Sequence, residues 1–273
     1  MRTAHFQGIK FLLRDTNPKL FSADRAAFMQ VCIADEYGKL LNLIGKGDTV
    51  LDLGANIGCF TLLASRKVGK EGNVLAIEAD PGNFAQLQSN LAANEVRNTD
   101  AVNRAVYVDD GSMIGWHSDG VESKIEIGGA VTVLTCNIST LIDFIERKNS
   151  KRIFIKSDME GAEKYLFNDE EIRQLLKKLD GLAMEVHEKH VFMSIREKLN
   201  ENGFTISEIH FESDCANKIV RNTIKTKFLP FRLYGKEMFG PISRVFRGLV
   251  KDNSIEGKDS EVAFEPGIIY AFR

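Results

Sequence analysis

From Thr49 onward, short apolar runs alternate with longer stretches whose apolar residues recur every three or four positions. A strand period followed by a helix period, repeated along a chain, marks βαβ units around a parallel sheet. Strands are predicted at Thr49–Leu53, Asn73–Glu78, Asp100–Val106, Arg152–Ser157, Gly181–Val186, Phe204–Phe211 and Gly267–Phe272. Asp80-Pro81 offers an N-cap followed by proline at the first helical position, and predicts a helix to about Asn94 with Phe84, Leu87 and Leu91 on one face. Further helices are predicted over Ser139–Lys148 and over a stretch carrying Val191, Phe192, Ile195 and Leu199, which Asn202-Gly203 ends. Ahead of the first strand, Asp24 to Ile44 reads as one helix, capped by Ser22 and stopped by Gly45.

Two stretches break this rhythm. Gly111 to Cys136 alternates polar and apolar residues around Asp119-Gly120 and Gly128-Gly129, which predicts inserted β-hairpins. Glu212 to Phe264 is longer and sets basic residues among Phe228, Phe231, Tyr234, Phe239 and Phe246. The organisation that follows is a helical lead-in over residues 1–45, a core over 46–211 plus 265–273, and an insertion over 212–264.

Charge sharpens the view of that insertion. The chain as a whole carries −2, but Lys218 to Lys251 holds nine Lys or Arg against Glu237 alone, which is +8 and leaves −10 elsewhere. Basic residues among aromatics suit an anionic membrane surface, a phosphate-bearing substrate or single-stranded nucleic acid; a solvated cap packed on the core would look the same. Nucleic acid is the least favoured, since no RNA-recognition motif accompanies the segment. Cys32, Cys59, Cys136 and Cys215 form no CxxC pair, so neither a zinc knuckle nor a disulfide framework is expected. Nor does any apolar run approach the roughly 20 residues that span a bilayer. With no signal-peptide core after Arg2, His5, Lys10 and Arg14, a cytoplasmic protein is expected, with contact at the inner membrane face left open.

The chemistry concentrates at strand ends. Val50-Leu51-Asp52-Leu53-Gly54-Ala55-Asn56-Ile57-Gly58 runs an apolar strand into a small-residue turn and then a helix. Glycines there let a ligand approach the backbone, and the helix N-terminus beyond offers N–H donors and the positive end of a dipole. Glu78 ends the next strand, where an acid can accept both hydroxyls of a ribose. Dinucleotide binding uses the same devices, but it expects G-x-G-x-x-G, and Asn56 stands at the middle glycine. Asp52, two residues before Gly54, suits a ligand with a cationic amino group, as S-adenosylmethionine has.

Asp52-Leu53-Gly54-Ala55-Asn56-Ile57-Gly58, Ala76-Ile77-Glu78-Ala79-Asp80-Pro81, Ile155-Lys156-Ser157-Asp158-Met159-Glu160-Gly161-Ala162-Glu163 and Met184-Glu185-Val186-His187 together resemble the FkbM family of methyltransferases, over roughly Thr49 to Gly203. The resemblance implies a doubly wound, Rossmann-like sheet of seven strands with the last antiparallel. It also implies S-adenosylmethionine as cofactor, and transfer of its methyl to a hydroxyl of a glycan, glycolipid or related natural product. It places cofactor contacts at Asp52, Gly54, Ala55, Asn56, Gly58, Glu78 and Ala79, with Asn103, Arg104 and Ala105 near the adenine. Ser157 stands where the family usually has an aliphatic residue, and the insertion after Phe211 is outside its pattern.

Independently of the family, Lys156, Asp158, Glu160 and Glu163 sit where the fourth strand feeds the next helix, at the carboxyl edge where open α/β sheets bind ligands. Asp158 or Glu160 is placed to take the acceptor's proton or to orient it; as N-cap and first-turn acids they would instead stabilise a helix start. Glu185 and His187 end the neighbouring fifth strand. His187 is the better base by intrinsic pKa, near 6.5 against about 4.3 for glutamate. Asp158, Glu185 and His187 have the chemistry to hold a divalent metal, but no compact ligand spacing supports one and none is assigned. An RNA methyltransferase and a non-catalytic S-adenosylmethionine-binding protein stand as alternatives.

Overall fold

The computed structural model describes residues 1–117, 124–125, 131–166, 169–210 and 267–273. Its centre is a seven-stranded sheet built from β3 (Thr49–Leu53), β4 (Asn73–Glu78), β5 (Thr99–Asn103), β10 (Ile153–Ser157), β11 (Gly181–Val186), β12 (Thr205–His210) and β13 (Gly267–Phe272). The order across the sheet is β12-β13-β11-β10-β3-β4-β5. Among the described pairings in this sheet, β13 runs antiparallel to both neighbours, and the others are parallel. This is the doubly wound sheet with a reversed last strand that the repeated pattern and the resemblance implied.

Both faces of the central strands are buried, so successive side chains feed two cores. Leu51, Leu53, Ile155, Leu182 and Met184 face the helices α5 (Ile138–Glu146), α7 (Asp169–Lys178) and α8 (Lys189–Glu201). Val50, Phe154, Ala183 and Tyr270 face the other way, onto α3 (Cys59–Val68) and the N-terminal segment. That second face also receives Asp52, Lys156 and Glu185, which alternate with the apolar residues of the first core. The helix α4 (Pro81–Ala93) begins as its sequence predicts, with the Asp80 carboxylate accepting from Gly82 and Asn83 N–H and Pro81 at the first position.

Several sequence expectations are corrected. The lead-in is not one helix over Asp24–Ile44. A hairpin of β1 (Arg2–Phe6) and β2 (Ile9–Leu13) precedes α1 (Pro18–Phe28), a π-helical turn (Met29–Ile33) and α2 (Gly38–Leu43). Asn17 rather than Ser22 caps α1, its side chain accepting from Lys19 N–H, with Pro18 in the first turn. The helix breaks after Ile33 because Asp35 takes a left-handed φ of 56°, folding its carboxylate against Gly38, where a Cβ would lie 2.2 Å from it. The third predicted strand ends at Asn103, and Ala105–Val106 instead forms β6 in a separate sheet of order β6-β9-β7-β8. That sheet pairs β7 (Met113–His117) antiparallel with β8 (Lys124–Ile125) and β9 (Val131–Cys136), consistent with inserted hairpins. The turns at Asp119-Gly120 and Gly128-Gly129, and the whole 212–264 insertion, lie outside the described residues. No helix among the described residues is long and apolar enough to cross a membrane.

Candidate active site

The turn after β3 is shaped by three left-handed residues, Gly54 at φ 75°, Asn56 at 50° and Gly58 at 87°. Gly54 is required: a Cβ there would fall 1.7 Å from the Asp158 carbonyl oxygen, so only glycine lets the turn lie against the loop after β10. Ala55 is buried behind the turn, and its N–H, like that of Gly54, donates to the Ile77 carbonyl. Gly58 hands over to α3 with no side-chain cap, so the first-turn N–H groups of that ten-residue helix have no side-chain acceptor among the described residues. An anionic ligand group matches that vacancy in chemistry.

Glu78 is nearly buried at the end of β4. One carboxylate oxygen accepts from Asn56 N–H at 2.6 Å and the other from Asp80 N–H at 2.8 Å, which leaves further lone pairs for hydroxyl donors. Burial pushes this carboxyl up to about 7 against the pull of those two N–H groups. Asn103 lies beside Glu78 in the sheet register, and its amide donates to the Glu78 and Ala79 carbonyls at 2.8 and 2.9 Å. Ala79 packs against buried Ala105, while Arg104 turns outward to Asp110 and the Thr135 carbonyl. Of the three residues expected near the adenine, Asn103 and Ala105 thus share one corner with Glu78 and Ala79, and Arg104 points away from it.

Asp52 lies under the turn with no exposed surface. Its carboxylate accepts from the Thr61 hydroxyl at 2.5 Å and stands 3.4 Å from Lys156 Nζ. Lys156 in turn donates to the Gly54 carbonyl at 2.7 Å and reaches 3.9 Å from Asp158. Burial alone would lower the ammonium's pKa, but Asp52 and Asp158 hold it above the ordinary lysine value; burial holds Asp52 above the ordinary aspartate value despite Lys156. In this structure the two residues tie the β3 turn to β10 from below.

The loop after β10 departs from the predicted helix start. Asp158 N–H donates to the Leu53 carbonyl, extending the β-ladder, and the chain then turns through Glu160 at φ 51° and Gly161 at 91° before the short α6 (Glu163–Leu166). Glu163, 1% exposed, reaches back to accept from Met159 N–H. The left-handed turn at Glu160 brings its carboxylate to 3.4 Å from His187 Nε2. Asp158, Glu185 and His187 converge: one ligand-capable atom of each lies within 4.8 Å of the others. Burial, and then Asp158, Glu36 and Glu160, push the Glu185 carboxyl up to about 10. Burial works against the His187 imidazolium, but Glu163 and Glu160 hold it above the ordinary histidine value.

Two residues of this site carried no motif. Tyr37, wholly buried between the π-helical turn and α2, donates its hydroxyl to Asp158 at 3.3 Å, and its ring lies 5.3 Å from Lys156 Nζ. Glu36 is buried beside it, and its backbone carbonyl accepts from the Tyr270 hydroxyl. Both lay in the interior of a predicted continuous helix, where no sequence pattern singles them out.

The sheet order and the strand-end turn define a class I methyltransferase fold. The chain belongs to the FkbM family: residues 52–206 match the Methyltransferase FkbM domain. An arsenite methyltransferase of Halobacterium salinarum is 32% identical over 62 residues, a match covering 23% of this chain and 16% of that protein. A SAM-dependent O-methyltransferase of Thermotoga maritima aligns with a TM-score of 0.42 at 14% identity, over 88% of this chain and 64% of its own. A precorrin-6y C5,15-methyltransferase of Geobacter metallireducens aligns with a TM-score of 0.41 at 12% identity, over 96% and 95%. At that level none of the three bears on what this chain acts upon.

Proposed function

We propose that the protein is an S-adenosylmethionine-dependent O-methyltransferase acting on a hydroxyl of a glycan, glycolipid or related natural product. The observation that carries this reading is the meeting of Asp158, Glu185 and His187 within 4.8 Å, at the ends of the strands beside the glycine turn of β3. The bound cofactor supplies an electrophilic methyl on its sulfonium sulfur. The uncapped start of α3 suits its carboxylate, and Glu78 has lone pairs left for the ribose hydroxyls. The crevice residues then act on the acceptor. Asp158, oriented by the Tyr37 hydroxyl, and Glu185 hydrogen-bond and orient the hydroxyl, and its proton passes to the imidazole and carboxylates around them as the C–O bond forms. The products are a methyl ether, S-adenosylhomocysteine and a proton. The +8 segment from Lys218 to Lys251 favours an anionic acceptor, phosphorylated or lipid-linked, with contact at the inner face of the membrane.

Calorimetry with S-adenosylmethionine, with NAD as control, tests the cofactor half. Selective binding that Glu78→Ala weakens at least tenfold is expected; no binding, or a preference for NAD, would overturn the reading. Methyl transfer to hydroxyl-bearing glycans but not to RNA, read with labelled cofactor, tests the acceptor half.

A further inference from the structure

We infer that Asp158, Glu185 and His187 are the ligands of a divalent cation, of the Mn²⁺ kind, whose open positions receive the acceptor's hydroxyl oxygen. The inference rests on the reading of this crevice as the methyl-acceptor site, and adds to it an ion that neither the family match nor the site description assigns.

Three independent features of the geometry support it. The first is spacing. Donor atoms around one ion at about 2.1 Å each cannot lie more than about 4.2 Å apart, twice the bond length. The three donors here lie within 4.8 Å of one another, so closing on an ion needs shifts of about half an ångström, within reach of side-chain torsions. Adjacent strand ends set this spacing, since β10 and β11 pair through Ser157 and Met184, and strand alternation puts Glu185 and His187 on one face.

The second is the orientation of the imidazole. Nε2 faces the cluster, 3.8 Å from Glu185, while Nδ1 is buried, makes no hydrogen bond among the described residues and points at the Glu163 carboxylate 3.7 Å away. Glu163 is itself wholly buried and fixed by the Met159 N–H. A buried carboxylate 3.7 Å behind one ring nitrogen, with the other turned to Glu160 at 3.4 Å and Glu185 at 3.8 Å, lies a short shift from the carboxylate–histidine–metal arrangement, in which that carboxylate accepts from the ring N–H.

The third is the charge. The acidic side chains of Asp158, Glu160, Glu163 and Glu185 stand around His187, and the lysine that reaches them, Lys156 at 3.9 Å from Asp158, is shared with Asp52 and the Gly54 carbonyl. Two carboxylates and one imidazole suit a borderline ion that accepts both oxygen and nitrogen, which favours Mn²⁺ over Mg²⁺. With the imidazole occupied by the ion, Glu160 at the rim is left to take the hydroxyl's proton, and coordination would acidify that hydroxyl.

The full chain, stripped with a chelator, is titrated with Mn²⁺ and the free ion is followed by electron paramagnetic resonance, with and without saturating S-adenosylmethionine. One Mn²⁺ per chain is expected, lost in Asp158→Asn and in Glu185→Gln, and weakened at least tenfold in Glu163→Gln. Broadening of the His187 ring resonances by Mn²⁺ in the wild-type chain provides a readout that does not depend on any variant folding. Absence of stoichiometric binding by the wild-type chain, or binding that survives both ligand substitutions, overturns the inference. Cofactor binding in the same samples separates the two ideas. A chain that binds S-adenosylmethionine but not Mn²⁺ sinks the ion alone, whereas a chain that does not bind S-adenosylmethionine sinks the methyltransferase reading beneath it.

Discussion

Lys156→Met removes the only cation within 4 Å of Asp52 among the described residues while keeping most of the side chain's volume. In the wild-type chain the 3.4 Å pair is worth roughly 5 kcal/mol at an effective dielectric near 20, before desolvation is subtracted. Without Lys156, Asp52 has a cheaper course than staying charged, which is to take up a proton. From an ordinary aspartate value of 3.8, that costs about 4 kcal/mol at pH 7 and about 2 kcal/mol at pH 5. The Gly54 carbonyl also loses its Nζ donor, for about 1 kcal/mol more. The expected destabilisation is therefore about 5 kcal/mol at pH 7, on the order of a 10 °C fall in melting temperature for a chain of this size. It should shrink by roughly half at pH 5. Asp52→Asn combined with Lys156→Met should recover all but about 1–2 kcal/mol, since an amide needs no counter-charge. Urea unfolding of the four species at both pH values measures this. A cost below about 1 kcal/mol at pH 7, a cost that does not fall at pH 5, or additive single and double mutants would refute the claim that this buried pair ties the turn to β10.

Other consequences follow from the same geometry. Because the Glu78 carboxyl titrates near 7 when folded against 4.5 when free, the folded state holds its proton more tightly, so its contribution to stability declines as pH rises from about 4.5 to about 7. Over that window the decline is of order 3 kcal/mol, and Glu78→Gln should flatten that part of a stability–pH curve. Tyr37→Phe removes a donor to Asp158 from a wholly buried ring; kcat for methyl transfer should fall severalfold with cofactor affinity and melting temperature nearly unchanged, and a parallel loss of cofactor binding would argue against an acceptor-side role. Gly54→Ala combines a φ of 75° with a clash on the Asp158 carbonyl, so a loss of several kcal/mol and of S-adenosylmethionine binding is expected by calorimetry. Arg14→Met strands the buried Asp24 carboxylate and breaks the link to Asn83 on α4; faster proteolysis within the first 20 residues should report the released hairpin, and unchanged cleavage would show it is held by other contacts.

The amino-acid sequence by itself determined the sheet and the glycine turn after β3 that meets Glu78. Strands such as Gly181–Val186 and Gly267–Phe272 match their predicted bounds because period and turn residues are local properties, and Asp80-Pro81 announces its own cap. The hairpin at residues 2–13 was missed in a lead-in read as helical, although its signal is local, in alternation around Gln7-Gly8, where both residues take positive φ. Spacing could only suggest that Asp158, Glu185 and His187 belong together; it could not bring them within 4.8 Å, which depends on the parallel register of β10 with β11. It could not show that Asp52 is sealed under its turn by Lys156, because the partner lies 104 residues on and meets it only across the β3–β10 pairing. Nor could it show that Tyr37 reaches Asp158, since that contact needs the helix broken after Ile33 by a left-handed residue. Local sequence encodes elements through hydrogen bonds and periodicity among near neighbours. A site assembled from three strand ends and an N-terminal turn exists only once long-range packing has paid no regard to sequence distance.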